Sequence, residues 1–99
     1  MKLTFKYHDI FNLAMNKGAE TEAMNLNPSR AFNLVQHYQT VFEIATFLEG
    51  FNLGRQYVYF WREGKSLLNM AINAGDIEPV DFSPVYHDDN TVTFEKIEK

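Results

Sequence analysis

The sequence predicts an α+β fold, in which a small antiparallel sheet of three to four strands packs on one long central helix with two shorter helices, in the order β-α-α-β-α-β-β. Three observations carry this expectation. "MKLTFKY" alternates apolar and polar residues with the period of a half-buried strand. "NPSRAFNLVQHYQTVFEIATFLEG" repeats its apolar residues with the period of a helix. "PVYHDDNTVTFEKI" sets two short alternating runs around the turn-forming residues Asp88, Asp89 and Asn90. At 99 residues, 45% hydrophobic and 15% aromatic, the chain can bury one core without staples, so residues 1–99 are expected to form a single domain.

The elements follow in order. In "MKLTFKY", Leu3, Phe5 and Tyr7 share one face and Lys2, Thr4 and Lys6 the other. "HDIFNLAMNKG" reads as a short helix with Ile10, Phe11 and Ala14 on one face, ending at Gly18. "AETEAMNLN" reads as a polar connector. Asn27 suits an N-cap, Pro28 the first helical position and Gly50 the end of the long helix. Projected at 100° per residue, Ala31, Leu34, Val35, Tyr38, Val41, Phe42, Ala45 and Leu48 fall in one arc and form the expected core face. Asn33, Gln36, His37, Gln39, Thr40, Glu43 and Thr46 fill the opposite arc, which Ile44 and Phe47, with Phe51 one turn on, interrupt.

Next comes "RQYVYFWRE". Its β-branched and aromatic residues predict a strand with two apolar faces, Tyr57, Tyr59 and Trp61 on one and Val58 and Phe60 on the other. "REGKS" reads as a turn with Ser66 as an N-cap, and "SLLNMAINAG" as a short helix closed by Gly75. Pro79 and Pro84 punctuate the approach to the C-terminal hairpin.

Composition narrows the function. The absence of cysteine excludes disulfides, thiolate metal sites and a cysteine nucleophile. No apolar run reaches the length of a membrane helix or a signal peptide, so the expected place is the cytoplasm, of a host cell if the chain is viral. Residues 76–99 carry seven acids and two lysines, a net −5, while residues 1–75 are close to neutral. A broadly basic surface for nucleic acid is therefore missing. "EGKS" lacks the upstream glycine of a phosphate loop, since Tyr59 stands there. The three histidines are scattered, with no paired metal-ligand spacing. Ser29, Ser66 and Ser83 sit in no nucleophile elbow. No catalytic residue, metal or cofactor is expected, and the chain reads as a non-enzyme.

"EIATFLEGFNLGRQYVYFWREGK" resembles helix-turn-helix DNA-binding proteins over residues 43–65: an "EIA" helix, a glycine turn, then a second helix beginning at Arg55-Gln56. The resemblance implies Arg55, Gln56 and Tyr59 at base edges, with Arg62 and Lys65 on phosphates. From Ala45 to Val58 the spacing is about three residues longer than that motif uses.

The preferred reading is a small protein-binding module. Interfaces favour aromatics and arginine at their centre, and Ile44, Phe47, Phe51, Arg55, Tyr57, Tyr59, Trp61 and Arg62 concentrate them around residue 50. The stripe of Ile44, Phe47 and Phe51 reads equally as a second core covered by residues 56–61. The expected partner is another protein or a second copy of the chain, and the chemistry suits an inhibitor of a host protein encoded by a virus or mobile element. The acidic C-terminal hairpin would meet a basic surface.

Overall fold

A computed structural model of the chain describes residues 3–4, 6–38 and 40–97. Met1, Lys2, Phe5, Gln39, Glu98 and Lys99 lie outside the described residues, as do the side chains of Leu3, Thr4, Leu34 and His37. The elements are β1 (Leu3–Thr4), α1 (Tyr7–Ala23), α2 (Ser29–Phe32), a 3-10 turn (Asn33–His37), α3 (Val41–Gln56), α4 (Val58–Arg62), α5 (Leu67–Asn73), β2 (Phe82–Tyr86) and β3 (Val92–Lys96). The protein is mostly helical α+β. Its two long helices, α1 and α3, pack together, and a two-stranded antiparallel hairpin closes the chain.

Glycine decides how α1 and α3 meet. A Cβ added to Gly18 would lie 2.0 Å from the carbonyl oxygen of Phe51, and one on Gly54 2.0 Å from that of Met15. A Cβ on Gly50 would meet the Ala14 methyl at 2.8 Å. Ala14 and Gly18 on α1 thus face Gly50 and Gly54 on α3, small residues at i and i+4 that let backbone touch backbone. This corrects two expectations. Gly18 and Gly50 are not helix ends but lie inside helices, because their lack of a side chain is spent on close approach. The real stop of α1 is Asn25, left-handed at φ 52, with Leu26 N–H bonded to Thr21 O and Asn25 N–H to Glu22 O. Gly64 and Gly75 end α4 and α5 with the same pair of bonds.

The single long helix expected from Asn27 to Gly50 is two pieces. The chain turns at Tyr38, whose backbone is extended (ψ 137), and α3 restarts with Thr40 as N-cap. Thr40 Oγ1 accepts the Glu43 N–H (3.2 Å) and donates to Glu43 Oε1 (2.8 Å). The break lets residues 28–38 fold back over α3, where Phe32 lies on Phe51 (centroids 5.2 Å) and Tyr38 on Phe47 (5.8 Å). The buried face of α3 is accordingly Thr46, Phe47, Gly50, Phe51 and Gly54. The arc expected to be core is split: Ala31 is buried with Val35 and Tyr38 packed beside it, whereas on α3 Val41 is 83% exposed and Ala45 and Leu48 face solvent.

The strand expected over residues 56–61 is also helical. Leu53, Tyr57, Phe60 and Trp61, spaced three and four apart, all pack against the cluster of Phe11, Met15, Ala19, Leu67, Ala71 and Ile77. Helical spacing buries those four side chains against α1 and α5, an advantage that outweighs the β preference of single residues. The central helix is α1, flanked on one side by this cluster and on the other by Ile10, Ala14, Ala31, Phe47 and Phe51.

Among the described residues at the N-terminus, Leu3 and Thr4 are extended, antiparallel to Tyr86 and Val85. The strand expected through Tyr7 does not form, since Tyr7 opens α1. The C-terminal hairpin is as expected, with Tyr86 opposite Val92 and the Asp88–Asn90 turn carrying Asn90 at φ 68. The sheet therefore has the order β1-β2-β3 with β1 a two-residue fragment, and the single helix over 27–50 on which it was expected to pack does not form as one piece. Ser66 caps α5 by accepting the Asn69 N–H (3.3 Å).

Asp81 ties the hairpin to α1. One oxygen of its buried carboxylate accepts both the His8 N–H (2.9 Å) and the Phe82 N–H (2.9 Å). The buried His8 ring reaches the Glu78 carbonyl through Nε2 (2.9 Å).

Two outcomes test this architecture. Gly→Ala inside a helix normally gains about 1 kcal/mol from propensity. Here the clash reverses the sign, and Gly18→Ala or Gly54→Ala is expected to lose about 2–3 kcal/mol in urea unfolding. Asp81→Ala strands the buried N–H of His8 and is expected to lose about 2–3 kcal/mol by the same measurement.

Candidate protein-interaction surface

The residues expected to form one binding patch divide between core and surface. Phe47 and Phe51 are both 0% exposed. They are core, sealed by Phe32, Tyr38 and α1, and are not open to a partner. Ile44 is half-buried beside them. Trp61 is half-buried against the α1–α5 cluster. Tyr57, also half-buried, packs there too, edge-on to Phe60 (5.6 Å), and its hydroxyl donates to Asp76 Oδ2. That leaves Arg55, Tyr59 and Arg62, exposed at i, i+4 and i+7 across the α3–α4 corner. Tyr59 is 72% exposed, and Arg55 Nε pairs with Glu22 Oε2 at 3.0 Å.

The helix-turn-helix resemblance meets a different geometry. Residues 58–62 are helical, as that motif requires of its second helix, but α3 runs unbroken through Gly50 and Gly54, where the turn would fall. Lys65 pairs with Glu63 (3.2 Å), so with Arg55 two of the three expected cations are partnered by carboxylates.

A second surface was missed by sequence reasoning. It lies where the hairpin meets the start of α3. Phe42 and Phe94 are in ring contact (5.3 Å), and Phe94 stands edge-on to Phe82 (5.6 Å), yet Phe94 remains 56% exposed. Val41, Ala45 and Leu48 form a solvent-facing apolar stripe at i, i+4 and i+7 beside Phe42. Thr40 Oγ1 and the Tyr86 hydroxyl share a hydrogen bond (2.9 Å) that fixes the hairpin against the α3 N-cap. The molecule is only 16 Å across its thinnest Cα dimension, about two packed helices deep, and among the described residues Val41, Ala45 and Leu48 of α3 are left exposed. The available signal was the T-x-x-E capping box at Thr40–Glu43, which would have restarted the helix there and rotated its faces.

The rim of this surface is acidic. Glu43, Glu49, Asp88, Asp89 and Glu95 lie on its elements or their turn, against Lys96. The local phenols register the field. Burial pushes Tyr7 above the ordinary tyrosine range, with Glu49 and Glu78 adding to it. Burial and then Glu43 do the same to Tyr38. In Tyr86 burial again raises the value, the Thr40 bond opposes it and Glu43 adds to it. At the hairpin turn, Asp89 accepts the Thr91 hydroxyl (2.6 Å) and N–H (3.1 Å), which hold its carboxyl below the usual range.

Among the described residues no group of three His, Asp or Glu side chains is arranged to hold a metal ion, and no helix is long and apolar enough to cross a membrane. Comparison with protein-family models, curated proteins and solved structures finds no match to this chain.

Tyr57 offers a pH readout of the α4–α5 corner. Burial first, then the hydrogen bond to Asp76 and that carboxylate's charge, push its phenol up from 10.0 to about 12. Because the folded value is raised, the contribution to stability is fully present below pH 10 and is lost as the pH climbs through 12. Ultraviolet titration of tyrosinate is expected to show, after the other raised phenols, a last ionisation near pH 12 that is absent in Tyr57→Phe and shifted down in Asp76→Asn.

Proposed function

We propose that this chain is a non-enzymatic protein-binding module, and that its contact surface is the apolar shelf formed by Val41, Leu48 and Phe94. One observation carries the reading: Phe94 stands exposed in ring contact with Phe42, the neighbour in sequence of Val41, which opens the exposed Val41, Ala45 and Leu48 stripe of α3. Exposed apolar groups grouped in this way mark interaction sites, where the same groups scattered singly would not. An inhibitor of a basic host protein, encoded by a virus or mobile element and acting in the cytoplasm, fits the chemistry. Self-association through the same shelf is the alternative within this reading.

The test uses the triple variant Val41→Ser, Leu48→Ser, Phe94→Ser. Val41 is almost fully exposed, so most of the loss in stability is expected at Phe94, at about 1 kcal/mol. The protein stays folded. The expected result is loss of every saturable partner that the wild type captures, or, where sedimentation shows the wild type to dimerise, conversion to monomer. Equal capture and unchanged sedimentation would remove the shelf from consideration.

One second reading has an observation behind it. Tyr59 and Arg62 stand exposed on α4, the disposition that a DNA contact through this corner needs. Anisotropy with a labelled duplex decides it: binding at low salt that weakens steeply as salt rises and fails in Arg62→Ala would support DNA.

A further inference from the structure

The open edge of β3 allows the partner's chemistry to be named. His87 N–H donates to Thr91 O and Ile97 N–H to Asp81 O, both at 3.0 Å, at the two ends of the hairpin. With the observed register these bonds set the phase of the ladder. In an antiparallel pair, hydrogen-bonded and non-hydrogen-bonded positions alternate. Thr93 and Glu95 therefore bond to β2, while Val92, Phe94 and Lys96 turn their N–H and C=O groups away from it. β3 is the last strand in the sheet order, so among the described residues no strand meets those groups. All five of its side chains are exposed.

Edge strands of soluble proteins are commonly blunted by short length, charge, a bulge, a proline or a covering element; β3 is five residues long and carries charge only at its end, in Glu95 and Lys96. Here the register runs without a bulge from Phe82/Lys96 to Tyr86/Val92, and the proline lies in the inner strand at Pro84. Phe94 carries an exposed ring to the edge and continues through Phe42 to the shelf on α3. The hairpin itself carries excess negative charge: Asp88, Asp89 and Glu95 stand against Lys96.

We infer that β3 accepts an extended, basic segment of a partner protein as an added strand, its main chain pairing with Val92, Phe94 and Lys96 and its apolar side chains meeting Phe94 and the α3 shelf. This rests on reading the same surface as a protein contact. Main-chain bonds along the edge supply affinity, alternate side chains supply selectivity, and the acidic rim selects lysine- and arginine-rich segments over acidic ones.

The probe is a fluorescent peptide of about nine residues alternating lysine and valine, long enough to cover a strand of ordinary length. Two counterparts accompany it, one with glutamate in place of lysine and one with a central proline at unchanged charge. The lysine peptide is expected to bind about tenfold or more tightly than either. It is expected to slow hydrogen exchange at Val92, Phe94 and Lys96, the amides facing the edge, relative to the free protein. Val92→Pro and Lys96→Pro each remove only an outward N–H, which an edge strand tolerates, and are expected to keep the hairpin while weakening the peptide about tenfold. The exchange measurement needs no variant and stands if either one fails to fold.

Equal binding of the proline-interrupted peptide would mean charge attraction alone and overturn strand addition. So would protection elsewhere on the protein, or no binding at all. The two levels separate cleanly. If Phe94→Ser loses a captured partner while Val92→Pro keeps it, strand addition falls and the contact surface stands. If the shelf variant changes nothing, the surface itself falls.

Discussion

Backbone contact between α1 and α3 organises the molecule. Ala14 and Gly18 lie against Gly50 and Gly54 so closely that a side chain at Gly18 or Gly54 would overlap a main-chain carbonyl. Once two helices approach to this distance, the residues flanking the seam are committed. On α3, Phe47 and Phe51 turn into the space beside it, and residues 28–38 must double back to cover them. On α1, the side carrying Phe11, Met15 and Ala19 is left for α4 and α5 to close. With both flanks of the seam closed, the chain has little material left for the outer face of α3. The exposed stripe of Val41, Ala45 and Leu48 is the geometric remainder of that tight seam.

Legibility in the sequence followed local rules. The hairpin, the Ser66 cap and the Gly75 stop depend on residues within a few positions of one another, and these were readable. The helical faces were not. A period of 3.6 fixes which residues of a helix lie together but not which side turns inward; on α3 the inward side is chosen by glycine, which weighs little in any hydrophobic sum. Gly18 and Gly50 stood where a helix end was plausible, so a role in close packing was mistaken for punctuation. Residues 57–61 show the opposite error. Five β-prone residues in a row suggested a strand, yet Leu53, Tyr57, Phe60 and Trp61 already had helical spacing, and tertiary burial outweighed propensity.

The candidate site shows the same division. Arg55, Tyr59 and Arg62 reach solvent, whereas Phe47 and Phe51 belong to the core. Val41, Leu48 and Phe94 were assigned to the core face of a helix or to a hairpin strand. Their exposure follows from the break at Tyr38–Thr40 and from the thinness of the fold, neither of which is a property of any one segment. Charge was read more reliably than shape, because the acidic excess after residue 75 needs no structure to count.

The Asp81 tie also bears on the order of assembly. It joins positions 73 apart in the chain, so a large loop must close before the tie can form. The hairpin itself pairs residues only six to fourteen apart, and such pairings form on the microsecond scale. It is thus a local unit attached late by a distant clasp. Pro84 and Val85 are buried and Phe82 stacks on Tyr7, so the clasp closes together with the apolar contacts that hold β2 against the rest of the fold.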